Sequence, residues 1–357
     1  MKRLLLLLLS VSLTAISHLH AADDSAAVDE GLLQKPLASL DKAHPWLPSI
    51  TGYIQMYASY QTDDDSNTLN LKRVMVYAQG SPASWLGYRL QVNLAGTPKI
   101  YDVSIDFHAG RYANFSVGQF KTPIALENQI SPKTLEMINC TQAVRHLAGF
   151  QDESGYNNAG RDIGAMFYGS AFKVGHEGGE HDLLKYTVGV FNGAELNRAD
   201  DNKYKDISGR IDIIPIQGLT VSCSGYLGRM SDVLDSVSNV MKRMDRNRIA
   251  FGLEWKHSEW MLRTEYLSGK TGSLKSDGWY VLGGYCPCRK WQLYAQYDAY
   301  RHDRTATSAV MNYCSLGAKY VPLPYFFVNL NYSYRFQSDH PSTGNYHYAE
   351  VMCSVLL

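Results

Sequence analysis

Lys121, Lys133, Arg145, Arg161 and Arg210, with Asp162 directly after Arg161, are the residues of this chain best suited to hold a small anion. An arginine fork grips a phosphate or carboxylate through two parallel bonds, and lysine adds a compact point charge. Around a narrow passage such fixed cations would select for anions. Glu127, Glu136, Asp152 and Glu153 are interleaved with them. The same set therefore equally suits ion pairs that pin a segment to a wall. Other constellations are weaker. Asp63-Asp-Asp65-Ser-Asn67 reads as a solvated loop tip sooner than as a divalent-cation site. His340-Pro-Ser342 offers a hydroxyl beside a histidine, but on a loop and without a supporting amide, so no enzyme is expected. No phosphate-cradling glycine loop and no zinc set is seen, so neither cofactor nor metal is expected.

The elements that position these residues repeat every second residue. Leu86-Gly-Tyr88-Arg-Leu90-Gln-Val92-Asn-Leu94 alternates apolar and polar without a break. Ile249–Lys256 and Phe326–Phe336 do the same. Alternation puts one kind of side chain on each face of a strand. Sixteen such segments are expected, near 50–60, 69–79, 86–95, 99–109, 113–122, 161–172, 183–193, 206–214, 218–228, 246–257, 260–270, 278–286, 290–300, 309–320, 325–337 and 346–357. About ten residues each is the length that crosses a bilayer at a tilt of about 45°. Links after even-numbered segments are short, and those after odd-numbered ones are mostly long and polar. Two exceptions are the short link after the third segment and the longer one after the sixth. Short turns at one end and long loops at the other mark an outer-membrane barrel. The prediction is an all-β fold: a transmembrane antiparallel β-barrel of 16 strands, residues 49–357, with the long third outer loop, 123–160, folded into the lumen.

Composition agrees. The charges balance, 34 against 34, with 25 Tyr, 11 Phe and 6 Trp. A basic excess suited to nucleic acid is absent. Trp46, Trp85, Trp260, Trp279, Trp291, Tyr320 and Tyr325 fall at segment ends, where interfacial girdles want aromatics. Lys2-Arg3, the apolar run from Leu4 and the small residue at Ala21 read as a cleaved signal peptide, 1–21, followed by a periplasmic lead-in, 22–48. Cys223, Cys314 and Cys353 take lipid-facing positions, and Cys286-Pro-Cys288 is too tight for an easy bridge, so the thiols are expected as small hydrophobes.

Gly118-Gln-Phe120-Lys-Thr122-Pro123, then Arg161-Asp162-Ile-Gly164, Tyr186-Thr-Val-Gly189-Val-Phe191-Asn192-Gly193, Gly209-Arg210 and Pro215 follow in order. This series resembles the phosphate-selective porin O and P family, over about a quarter of the chain. The resemblance implies a trimeric sixteen-stranded barrel whose third outer loop forms a constriction. It also implies a basic ladder for phosphate, to which no residue here is matched.

The inward face is expected to carry Arg89, Lys185, Arg210, Lys256, Arg263, Lys319 and Arg335 against Asp102, Asp106, Asp162, Asp212, Glu254, Glu265 and Asp298. These are equal in number, so the strands alone give no strong preference of sign. Arg89, Asp102, Asp106, Arg263 and Arg335 are expected to line the lumen. Arginine should be costly at Val92 or Leu330 and mild at Asn93 or Asn329. The expected function is passive diffusion of small hydrophilic solutes, with anions such as phosphate as candidates, through a homotrimer in lipid and lipopolysaccharide. A general or sugar-preferring channel and a closed barrel serving as adhesin or structural protein are the alternatives.

Overall fold

The computed structural model describes residues 46–175, 179–200, 202–230, 233–235, 240–242, 244–305, 310–337 and 345–357. The signal peptide, most of the lead-in, and His340-Pro-Ser342 lie outside the described residues.

The strands, in chain order, are β1 (Ser49–Gln61), β2 (Asn67–Ala83), β3 (Leu86–Asn93), β4 (Lys99–His108), β5 (Asn114–Lys121), β6 (Arg161–Val174), β7 (His181–Phe191), β8 (Asp206–Ile216) and β9 (Leu219–Arg229). They continue as β10 (Val233–Asp235), β11 (Val240–Lys242), β12 (Asp245–His257), β13 (Trp260–Thr271), β14 (Leu274–Cys288), β15 (Trp291–Arg301), β16 (Val310–Leu323), β17 (Phe326–Gln337) and β18 (Tyr346–Leu356). β10 and β11 form a separate hairpin; the other sixteen close into one antiparallel barrel. Each matches an expected segment to within a few residues. Closure is made by β1 against β18, with Tyr53 opposite Leu356 and Gln61 opposite Tyr348. Gly52 and Leu357 exchange both backbone bonds at 3.2 and 2.8 Å. A closed sheet leaves no backbone edge unpaired, as lipid demands.

The alternation sorts as the sequence implies. Leu90, Leu94, Val103, Ile105, Phe107 and Tyr332 are exposed on the outside. Their neighbours Gln91, Asp102, Ser104, Asn331 and Ser333 are buried inside. At the short-turn end, Trp260 stacks on Tyr285 with centroids 4.3 Å apart, and Trp291 lies 4.6 Å from Tyr320. Trp85 and Tyr325 stand exposed nearby. All six cysteines are free, and Cys223 and Cys314 are exposed on the outer face.

The barrel has a core of its own, which a strand pattern cannot reveal. Residues 122–160 descend inside and carry two short helices, α1 (Leu126–Gln129) and α2 (Gln142–Leu147). Ile124, Met137, Ala143, Val144 and Leu147 pack against Tyr226, Ala250, Leu267, Tyr280, Leu282, Tyr294 and Tyr300 of the inner wall. Those wall residues occupy inward positions that a water-filled barrel would make polar.

Candidate functional site: the infolded loop and the charges it leaves free

The loop base is drawn together by its own backbone. Thr122 N donates to Gly160 O at 2.9 Å. Gly160 holds φ +70°, and an added Cβ would sit 2.1 Å from Asn128 Oδ1. Only glycine fits that combination. Lys121 Nζ donates to Ile130 O at 2.7 Å. Arg161 Nε binds Asp102 at 2.6 Å and NH1 reaches Ala159 O at 2.8 Å. Asp162 accepts from Gly193 N at 2.7 Å and from Ile163 N at 2.8 Å. These groups brace the base instead of facing a passage.

From the base the loop crosses to the far wall, where carboxylates and one arginine receive it. Glu265 accepts from the amides of Leu126 and Glu127. Asp298 accepts from Gln142 N at 2.6 Å and so caps α2 from the wall, a task that Thr141 leaves undone. Deepest, near the short-turn end, Arg263 holds Glu136 in a two-pronged grip at 2.6 and 3.1 Å. It also reaches Glu254 at 3.2 Å and Glu127 at 3.9 Å, and it is 0% exposed. Higher up, Arg248 binds Asp152 at 2.7 Å. Arg246 pairs with Asp206 at 3.2 Å and lies over Tyr156 and Tyr226. Asn139 spans the last gap, accepting from Lys72 at 2.5 Å and donating to Glu350 at 2.6 Å.

Burial sets the electrostatics of the loop. Glu127 is pushed up to about 7, with Arg263 and the Thr141 hydrogen bonds pulling the other way. Burial and then Glu127 push the Cys140 thiol up to about 12; Arg145 and Arg73 stand close enough to oppose them. Glu136 and Asp152 are held below the usual carboxylate range because Arg263, Arg248 and Arg246 outweigh their burial.

These contacts revise several expectations. Arg263 and Asp102 point inward but are covered, so they do not line open space. Arg210 is taken by Asp212 at 2.7 Å. Asn329, expected on a tolerant inward surface, is 1% exposed and donates to Glu136 O at 3.4 Å. Asp106 accepts from Ser104 and Ser116. Lys72, Arg73, Arg246, Arg248 and Glu350 join the inner network without having been singled out, and Asp206 joins it as well. Arg246 and Arg248 keep the parity of Ala250, Glu254 and Lys256, so the signal was there in the alternation of β12.

What remains is one-sided. Among the described residues, every inward carboxylate discussed above has an ion-pair or hydrogen-bond partner. Among these described residues Arg73, Arg89, Lys133, Arg145, Lys185 and Arg335 have no carboxylate within ion-pair reach, and each is at least partly exposed. Arg73 donates to Gln55 at 2.9 Å and Arg335 lies over Tyr346 at 5.1 Å. The balanced inward count thus resolves into acids that are ion-paired or hydrogen-bonded and bases that stay accessible.

A sixteen-stranded antiparallel barrel with a long loop packed inside is the architecture of outer-membrane porins. The chain is similar to a loop-deletion form of OmpT, an outer membrane protein of Vibrio cholerae, with 14% identity and a TM-score of 0.63, covering 87% of this chain and 99% of that one. It is similar to an anion-selective porin from Comamonas acidovorans at 12% identity and a TM-score of 0.65, over 87% and 99%. OmpF of Salmonella typhi, in a complex with daunomycin, aligns at 12% identity and 0.66, over 88% and 99%. No protein-family profile matches the chain, and no curated protein matches its sequence. At these identities the likeness is one of fold.

Proposed function

We propose that this chain is an outer-membrane porin that passes small hydrophilic solutes and prefers anions. The carrying observation is the division of inward charge. The loop and wall consume the acids in fixing the loop, and Lys133 and Arg145 stay free on the loop itself, with Arg73 close by. In a narrow, weakly screened passage each unpaired cation has a large effect on permeating ions. A closed barrel used only as a scaffold would have no need to leave bases unpaired along its interior. The sequence resemblance to phosphate-selective porins and the fold shared with an anion-selective porin point the same way. A homotrimer seated in lipid and lipopolysaccharide is part of the same reading.

Single-channel recording in planar bilayers, with a salt gradient across the membrane, tests it. The reversal potential should have the sign of anion preference. Lys133→Glu with Arg145→Glu should move it toward cations by several-fold in permeability ratio. A cation-selective channel, or no conductance from heat-modifiable protein, would overturn the proposal.

A further inference from the structure

A second set of cations stands on the outside of the barrel. Lys270 at the end of β13 and Lys275 at the start of β14 are directly opposite each other in the sheet. Both are exposed, and among the described residues neither has a carboxylate within ion-pair reach. Like charges placed directly across a strand pair cost stability unless an anion joins them. Arg304 comes over from the following loop, its amide donating to Lys275 O at 2.7 Å. Its guanidinium reaches Ser268 Oγ at 3.3 Å and Asp277 at 3.5 Å. Asp277 is already held by Arg301 through two bonds of 2.9 Å, so it does not cancel the lysine pair.

Below these cations runs an outward groove of about 940 Å³ with Val188, Ile211, Leu227 and Ile249 on its walls. It exists because Gly209 and Gly225 present no side chain on the outer face. A Cβ on Gly225 would meet nothing nearer than 3.8 Å, and one on Gly209 nothing nearer than 3.4 Å. A second groove of about 550 Å³ shares Ile211 and Cys223 with it. The lysine pair lies at the long-loop end, and the apolar floor extends toward mid-wall. The whole feature therefore faces the outer leaflet.

We propose that this surface binds a phosphorylated, multiply acylated lipid of the outer leaflet, the chemistry of lipid A. Its phosphates would bridge Lys270, Lys275 and Arg304, and its acyl chains would fill the glycine-floored groove. Apolar walls beneath a cationic rim are what sets a lipid apart from a free anion here. The proposal rests on the barrel lying in the outer membrane, not on what its lumen conducts.

The test uses the full barrel in dodecyl maltoside micelles, with bound lipid counted by native mass spectrometry. Bisphosphorylated lipid A and its dephosphorylated form are the probes, and inorganic phosphate is the competitor. Heat-modifiability confirms that each variant is folded. Lys270→Gln with Lys275→Gln should weaken lipid A binding by about tenfold or more, as should removal of the phosphates. Gly225→Trp should do the same by filling the groove with every charge in place. Undiminished binding to the lysine variant would overturn the proposal. So would full displacement by inorganic phosphate, which would mark a free-anion site. A change of oligomeric state in Gly225→Trp with lipid A binding intact would show a subunit contact instead.

Discussion

Arg263 shows how one side chain can decide where about 38 residues of loop lie. Its guanidinium neutralises Glu136, approaches Glu127 and Glu254, and donates to the Tyr280 hydroxyl at 3.1 Å. Arg263→Ala should cost about 3–5 kcal/mol, because it strands buried carboxylates without a counter-charge. The cost will appear as a lower temperature of heat modification. Adding Glu136→Gln should restore part of it. Glu127 makes a second, pH-dependent case. Its carboxyl is raised from 4.5 to about 7 by burial. A raised acid favours the folded seat when protonated. Its contribution is therefore full below the ordinary value of 4.5 and is lost as pH rises through 7. Protease attack on the loop should increase from mildly acidic to mildly alkaline pH and lose that rise in Glu127→Gln. Half-buried His146, held below its ordinary value mainly by desolvation, opposes the trend only on the acid side. The types of these residues were legible in the sequence, but not their duties. Arg161 and Arg145 look alike as letters; one is spent on Asp102 and the other is free, which depends on partners distant in the chain.

At the scale of elements, period two was enough to place every barrel strand, since it reports only which face is wet. It says nothing of what lies against the inner face. Asn329 and Asn331 read as lumen residues of the same kind as Asn93, and the loop covers both. Leu330→Arg should cost about 2–4 kcal/mol if it lies near the bilayer midplane. Asn329→Arg, on the inner face, should also be damaging because it evicts Glu136. Asn93→Arg should disturb only the two amide bonds that its Oδ1 accepts, from Val74 N and Ala95 N, each of 3.1 Å. Comparing heat-modification midpoints of the three variants checks this. Deleting residues 132–150 should raise single-channel conductance and leave the barrel folded, because the wall strands pair with one another without the loop. Unchanged conductance would place the constriction elsewhere. The length and apolar content of 123–160 did signal packing, since connections have a median of about 4–6 residues. Its target wall was not readable, because inward Tyr280, Leu282 and Tyr294 look like ordinary strand residues.

The molecule as a whole should give a β-rich circular dichroism spectrum and migrate faster on gels before heating than after, and a helical spectrum would refute the barrel. Its shape follows from strand count and closure, both visible in the alternation. The clasp between Tyr53 and Leu356 also bears on how such a chain is born. The seam joins the first strand to the last, so β1 finds its second neighbour only when nearly the whole polypeptide has been delivered. Until then β1 carries a bare row of amides and carbonyls, able to bind any stray strand. Glu350 and Asn329, on the two final strands, also hold the loop. A chain broken off before β17 would lack both the seam and part of the loop's anchorage, leaving an open sheet without partial function. Biogenesis must therefore shelter an unmated edge for the whole time of export, which makes delivery by an escort a requirement of the topology itself.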